Sequence, residues 1–428
     1  MPSPTGPHDA TTAPTDDRPA LTVLSGFWPA ATFATARALL AADPSLLLIR
    51  HDLTGIRAGL VRRVVRTGSG IVEDEQVALV HGCVSCTLRE DVLPTLARLA
   101  RTGRDLLLLL PDVVEPEAVA AACAHCAVDG TPLTDLLRVD SYLTVVDAEH
   151  LLDGLTSTDD LRALGIQAAD DDHRGLADVV ARQIEYADTV VLWGRHPDGP
   201  YDTDRLAVLL HRMAPWAAHF RLDDDLVDAH ALTRQLRHTH RHRPETPSVL
   251  NRGLQGHALG LHEPHPDHGV VSAVFRARRP FHPTRLHDVL EDVNAEIIRS
   301  RGHLWLASQP DTVIGWEFAG GGLALAGLGP WLTALPDDRW THVDNQRRLA
   351  AALDWDPYYG DRHQHLVLIG LDTDPVDLHR TLAGCLLTDA ELADGEDAWR
   401  TWPDPFAGCF PLAAPPRADS DAAPSRTG

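Results

Sequence analysis

Five short, nearly wholly apolar runs separated by helix-length segments set the tightest limit on what this chain can fold into. The runs occupy residues 21–24, 46–49, 106–110, 141–146 and 189–192, and the third is five consecutive leucines. Between them, residues 31–41, 88–100, 116–127 and 176–186 have the length and composition of helices. Buried strands alternating with helices predict a parallel sheet wound on both faces, so residues 20–222 read as a doubly wound α/β domain.

After residue 222 the character changes. An acidic run at 223–225 is followed by RQLRHTHRHRPETP and a Gly/His/Pro-rich stretch, with eight histidines between His230 and His268. Residues 223–269 read as an Asp/His/Pro-rich linker. Apolar patterning resumes at Val270 with VVSAVFRARRPFHP, IIRSRGHLWLAS, FAGGGLALAGLG and HLVLIGLD. This predicts a smaller α+β domain over 270–412, able to fold without the first. The Pro/Thr/Asp-rich residues 1–19 and the Pro/Ala/Ser-rich residues 413–428 read as a disordered leader and tail.

The N-terminus lacks the basic-then-apolar order of a signal peptide, and no apolar run reaches the 18 or so residues of a membrane helix. A cytoplasmic protein with no membrane association is expected. Six cysteines in 428 residues are no disulfide framework. A net charge of −23 argues against direct DNA binding, which needs a basic surface.

All 38 basic residues are arginine; the chain contains no lysine. That matters at residues 21–33, where an apolar strand, a Gly26-led turn and a helix have the shape of a phosphate-binding loop. Such a loop, G-x-x-x-x-G-K-[ST], needs backbone N–H groups around the phosphates, a lysine on the β/γ-phosphates and a hydroxyl for Mg²⁺. Counted from Gly26, the second glycine is Ala31, the lysine is Thr32 and the hydroxyl residue is Phe33; Pro29 removes an N–H as well. Read from these residues alone, the segment is an ordinary strand–turn–helix corner, with no anchor for GTP or Mg²⁺.

HGCVSCTLRED places Cys83 and Cys86 in a turn before a helix whose first turn carries Arg89, Glu90 and Asp91. Thiolates three residues apart can share one Zn²⁺, and a helix N-terminus lowers thiol pKa. Two further ligands are needed, with Glu73, Glu75 and His81 the nearest candidates. Two cysteines without a metal, or a redox pair, are the competing readings. A second pair, Cys123 and Cys126, lies on an Ala-rich helix, where packing is the commoner role; Cys385 also reads as core. His238, His240 and His242 fall on alternate residues, one face of an extended chain. Weak Zn²⁺ or Ni²⁺ binding and a solvated linker are both open for them.

Taken together, the chain from about 21 to 412 resembles the CobW-like P-loop GTPase and metallochaperone family. TVLSGF followed by a helix is similar to the family's opening strand and phosphate loop. GCVSCTLRED is similar to its Gly-Cys-x-Cys-Cys-x-x-Arg-x-Asp block, with Cys83, Cys86, Arg89 and Asp91 aligned and Ser85 replacing the middle cysteine. SYLTVVDAEH, FRARRPFHPTRL and RSRGHLWLAS resemble further family blocks. The resemblance thus implies a P-loop-like domain followed by a CobW-type C-terminal domain.

The departures all fall on nucleotide chemistry. LLLLLPDVVEP stands where the family has Glu-Thr-Ser-Gly, putting Leu109 and Asp112 at the Glu and Gly positions. Trp193 and Gly194 replace the Asn and Lys of the guanine-reading motif. GTPase activity is implied by resemblance only, and the motif losses imply that GTP binding has lapsed. The combination is similar to a zinc-responsive branch of the family that recruits a hibernation-promoting factor to the small ribosomal subunit during zinc starvation. That implies an adaptor, with Zn²⁺ at Cys83 and Cys86. The alternatives are a GTP-dependent zinc or cobalt metallochaperone, and a Cys-x-x-Cys redox enzyme.

Overall fold

The computed structural model describes residues 16–169, 172–222 and 228–409. The tail expected over 413–428, the acidic run 223–225 and most of the expected leader lie outside them. The first domain is built on an eight-stranded sheet. Its strands are β1 (Ala20–Ser25), β2 (Leu47–Asp52), β3 (Leu60–Thr67), β4 (Gly70–Ala78) and β5 (Leu106–Leu109). A two-residue hairpin, β6 (Ala127–Val128) and β7 (Thr131–Pro132), stands apart. The sheet is completed by β8 (Arg138–Asp147), β9 (Thr189–Trp193) and β10 (Ala218–Leu222).

The sheet order is β10-β9-β8-β1-β5-β2-β3-β4. Six strands run parallel, and β3 and β4 close one edge as an antiparallel hairpin. The leucine run shows why the central strands lack alternation. Leu106 and Leu108 pack on Leu93 and Leu96, while Leu107 and Leu109 pack on the opposite face with Leu39 and Leu143. A strand covered on both faces needs apolar residues at every position.

The second domain is a six-stranded antiparallel sheet. It comprises β11 (Glu263–Asp267), β12 (Val270–Ala277), β13 (Ile297–Leu304), β14 (Thr312–Ala319), β15 (Gly322–Pro330) and β16 (Gln364–Leu371), in the order β11-β12-β16-β13-β14-β15. One face carries the helices Pro283–Asp288 and Pro375–Gly384 through Leu286, Leu378 and Leu382. The other face supplies Val270, Ile298, Val367 and Ile369 to a core shared with Val180, Ile184, Leu209 and Leu210 of the first domain. The two domains therefore bury one continuous apolar layer between them.

Within the stretch expected as a linker, the described residues 228–269 differ from a bare linker. Asp228 caps the helix Ala229–Leu236 by accepting from the His230 and Ala231 N–H groups. Leu232 and Leu236, four residues apart, enter the core beside the helix Pro29–Ala42. Buried Arg237 bridges Asp43 and Asp105 at 2.7 and 2.9 Å, and β11 joins the second sheet. The polar composition hides a segment fixed by two leucines and one paired arginine.

Candidate functional site

At the end of β1, Gly26 is required by a close approach: a Cβ there would lie 2.4 Å from the Val145 carbonyl oxygen. Its role is packing of β1 against β8. The chain then enters the helix Pro29–Ala42 with Trp28 at its N-cap and no side-chain cap. Trp28 packs on Gly154, where a Cβ would meet its ring at 2.8 Å, and edge-on against Phe27. Thr32 is buried, and its hydroxyl bonds the Trp28 and Pro29 carbonyl oxygens at 3.2 and 3.1 Å. Phe33 lies under the Arg50 guanidinium, 4.7 Å from the ring centroid.

These residues line a crevice of about 660 Å³ that also holds Asp52 and Asp112. Burial pushes the Asp112 carboxyl up to about 6, against a smaller opposing pull from Arg50. The carboxyl is still mostly ionised near pH 7. The crevice thus sets two acids, Asp52 and Asp112, against two guanidinium groups, Arg50 and Arg57, with no lysine and with the Thr32 hydroxyl bonded back to its own helix.

The Cys83–Cys86 turn is held from both sides. Gly82 passes so near the Ile56 carbonyl that a Cβ would sit 1.9 Å from its oxygen. Glu90 accepts from the Val80 N–H at 2.9 Å. Cys83 caps the turn Val84–Thr87, its sulfur accepting from the Cys86 N–H at 3.3 Å. Cys83 is half-buried, Cys86 buried and Ser85 exposed. The hydrogen bond to the Cys83 thiol raises the Cys86 thiol above its ordinary value. This is the opposite of the lowering expected from a helix N-terminus, and burial and the nearby Glu90 carboxylate push the same way.

The expected further ligands do not join the pair. Glu73 accepts two hydrogen bonds from Arg98, both 2.7 Å, and Glu75 pairs with Arg63. His81 is exposed. Among the described residues, two trios of possible ligands have atoms within 4.8 Å of one another: His303–His363–His365 and His196–Asp198–Asp202. Neither includes a cysteine. The turn thus fits a zinc ion with two of the four donors it prefers.

Beside the turn lies a pairing that sequence reasoning passed over. Asp91 accepts from His51 Nε2 at 2.6 Å and from Arg63, with all three side chains nearly buried. Burial pushes the Asp91 carboxyl up, but His51 and Arg63 outweigh it and hold it below the usual range. His51 is the fifth residue of β2 and Arg63 the fourth of β3; their charges sit where the strand pattern predicts core, and that was the available signal.

The remaining candidates separate. Cys123 lies in the core, where burial pushes its thiol up to about 12, and Cys126 is half-buried at the end of the same helix. Cys385 is also buried. His238 and His240 both adopt positive φ, 53° and 51°, so RHTHRH is not the extended face expected. His238 reaches Asp105 at 3.1 Å, His242 reaches Asp188 at 3.2 Å, and the His240 N–H donates to Asp140. The three imidazoles do not converge. Among the described residues, no helix is long and apolar enough to cross a membrane.

A doubly wound P-loop-like domain whose core continues into an antiparallel second domain, with a Cys-x-x-Cys turn beside a crevice at the first strand, defines a two-domain P-loop-like class. The chain belongs to the CobW/HypB/UreG family. Residues 61–193 match the CobW/HypB/UreG nucleotide-binding domain, and residues 270–386 match the cobalamin synthesis protein cobW C-terminal domain. It is 36% identical over 374 residues to a protein of Mycobacterium tuberculosis named a zinc chaperone, covering 84% of this chain and 86% of that one. It is 31% identical over 338 residues to zinc-regulated GTPase metalloprotein activator 1 of Dictyostelium discoideum, covering 77% of this chain and 70% of the other. The Zn(II)-bound YjiA GTPase from E. coli aligns at 15% identity with a TM-score of 0.36, over 86% of this chain and 99% of that one.

Proposed function

We propose that this chain is a zinc-responsive CobW-type protein that works without binding or hydrolysing GTP. The rebuilt phosphate turn carries the reading. The Thr32 hydroxyl is bonded to its own helix, Phe33 occupies the Mg²⁺-ligand position under Arg50, and Asp112 brings a carboxylate into the crevice. A bound Mg²⁺–triphosphate needs the opposite: a lysine, a free hydroxyl and converging N–H donors. Zinc responsiveness rests on the thiols of Cys83 and Cys86 and is supported by the zinc in the names of both relatives.

The output we propose is adaptor binding, recruiting a hibernation-promoting factor to the small ribosomal subunit under zinc limitation. Its support is the pairing of Cys-Val-Ser-Cys with lapsed nucleotide motifs. A GTP-dependent zinc or cobalt metallochaperone is the second reading, favoured by the words chaperone and GTPase in the relatives' names. Calorimetric titration with GTP and Mg²⁺ separates the two. No saturable binding is expected; guanine-selective micromolar affinity would decide for the metallochaperone. A pulldown from zinc-starved cells tests the adaptor role, which fails if neither small-subunit components nor the hibernation factor are recovered.

A further inference from the structure

We propose that His303, His363 and His365 form a three-imidazole site for a borderline divalent cation of the Zn²⁺ class, in the second domain and separate from Cys83 and Cys86. His303 lies on β13 directly opposite His365 on β16. His363 is two residues before His365, just ahead of β16, and their ring centroids lie 6.2 Å apart. One nitrogen from each ring lies within 4.8 Å of the others. Three imidazoles around one point match the protein share of an open tetrahedral zinc site.

The hydrogen bonds point the same way. His363 Nδ1 donates to the Asp361 carbonyl oxygen at 2.9 Å, which fixes its tautomer and leaves Nε2 with a lone pair. That Nε2 is 3.0 Å from His303 Nε2. If His303 answers it with a proton, His303 Nδ1 is left as an acceptor, and that atom is buried without a partner. A metal held between the two Nε2 atoms would use both facing lone pairs, with the His303 proton then on Nδ1, which has no protein partner in either tautomer.

Other charged groups shape the site. Arg276 Nη2 donates to His365 Nε2 at 3.3 Å, so a cation must displace that guanidinium from the Nε2 lone pair to take His365 as a ligand. Arg276, Arg347 and Asp361 line a cavity of about 260 Å³ that opens onto His363 and His365. Both oxygens of the Asp361 carboxylate accept backbone N–H groups, from Leu332 and Thr333; Asp354 pairs with Arg278. Neither carboxylate is a ligand. The cavity beside His363 and His365 carries two guanidinium groups, Arg276 and Arg347, which suits water, hydroxide or a small anion as the remaining ligand.

The test uses the full chain with Cys83→Ala and Cys86→Ala, so that the turn in the first domain contributes nothing. Zinc titration against a competing chelator is expected to leave one bound zinc. Co²⁺ substitution is expected to give tetrahedral d–d absorption without a thiolate charge-transfer band. His363→Gln with His365→Gln, two positions at the cavity rim, should weaken that zinc by more than the roughly 10–100-fold seen when only a supporting contact is lost. The thermal transition without metal should stay in place, which separates ligand loss from misfolding. Zinc absent from the double-cysteine variant, or zinc unaffected by the two glutamines, overturns the site. Loss of zinc in the cysteine variants alone bears on the turn and leaves this site standing.

Discussion

Arg299 of β13 sets Nε and Nη2 against the two carboxylate oxygens of Glu185, at 2.7 and 2.8 Å, with both side chains fully buried. Glu185 belongs to the helix Leu176–Tyr186 of the first domain, so the pair crosses the interface. Arg301 adds a second guanidinium to the same carboxylate and donates to the Met213 carbonyl oxygen at 2.6 Å. Arg299 also holds Glu317 at 2.8 Å, which Arg182 reaches from the other side. The first and third residues of RSRGHLW thus point into the neighbouring domain, and Gly302 between Arg301 and His303 allows β16 to come within 2.0 Å of where its Cβ would be.

Glu185→Gln should cost about 3–5 kcal/mol, the range for removing one partner of a buried pair and stranding the rest. Urea unfolding of the variant measures it, and a loss below 1 kcal/mol would mean water reaches the pair. The pH dependence has a definite sign. Burial alone would raise the Glu185 carboxyl, but Arg299 and Arg301 overcome it and hold the carboxyl below its ordinary value of 4.5. Its contribution is therefore complete above that value and fades as pH falls below it.

The same network bears on the second domain taken alone. A fragment of residues 270–412 lacks Glu185, Met213 and the Leu259 carbonyl, so Arg301 loses all three of these acceptors. It also exposes Val270, Ile298, Val367 and Ile369, which pack on first-domain helices. The fragment should show no cooperative thermal transition, whereas one that begins and ends on the full chain should. A sharp transition in the fragment would show that the interface is dispensable.

Asp112 gives the opposite sign from Glu185. Its folded carboxyl stands at about 6 against an ordinary 3.8, through burial. Ionisation therefore weakens the fold progressively as pH rises through 6. Asp112→Asn should stabilise by about 1–2 kcal/mol at pH 7.5, discounted for partial solvent access, and by little below pH 4. Thermal unfolding of both proteins across that range checks it. Equal stability at both pH values would place Asp112 in water.

The parallel strands were legible because burial on both faces writes itself as unbroken apolar runs. The β3–β4 hairpin was not, because LVRRVVRT and GIVEDEQVA pair through charge: Arg62 to Asp74 at 2.7 and 2.6 Å, and Arg63 to Glu75. An edge hairpin with one solvated face does not need an apolar run. The Cys83–Cys86 turn could be read as a turn, since two cysteines and a Gly lie together in sequence. Its ligand set could not, because Arg63 and Arg98 take the glutamates only once the sheet edge forms. The histidine trio was hidden for a related reason. His303 and His363 are 60 residues apart and meet only through the pairing of β13 with β16. The His-x-His at 363 and 365, alternate residues at a strand start, was the one local sign.

Cys83 and Cys86 should bind zinc as a pair, with Ser85 contributing little. Cys83 already caps the turn, so its sulfur and that of Cys86 are brought together by backbone geometry before any metal arrives. Zinc binding then removes the shared proton that raises the Cys86 thiol, so affinity should climb with pH through the thiol range. The exposed Ser85 hydroxyl is a poor ligand, and Ser85→Ala should leave the affinity nearly intact. Ser85→Cys should tighten it by supplying a third thiolate where Glu73 and Glu75 are held away by arginine. Either Cys83→Ala or Cys86→Ala should remove one zinc and any zinc-dependent change in partner binding. The measurement is zinc stoichiometry against a competing chelator in a background carrying His363→Gln and His365→Gln, so that only the turn is read. Full zinc retention by Cys83→Ala in that background would place the metal elsewhere, and tightening by Ser85→Ala would mean that the serine hydroxyl obstructs the site.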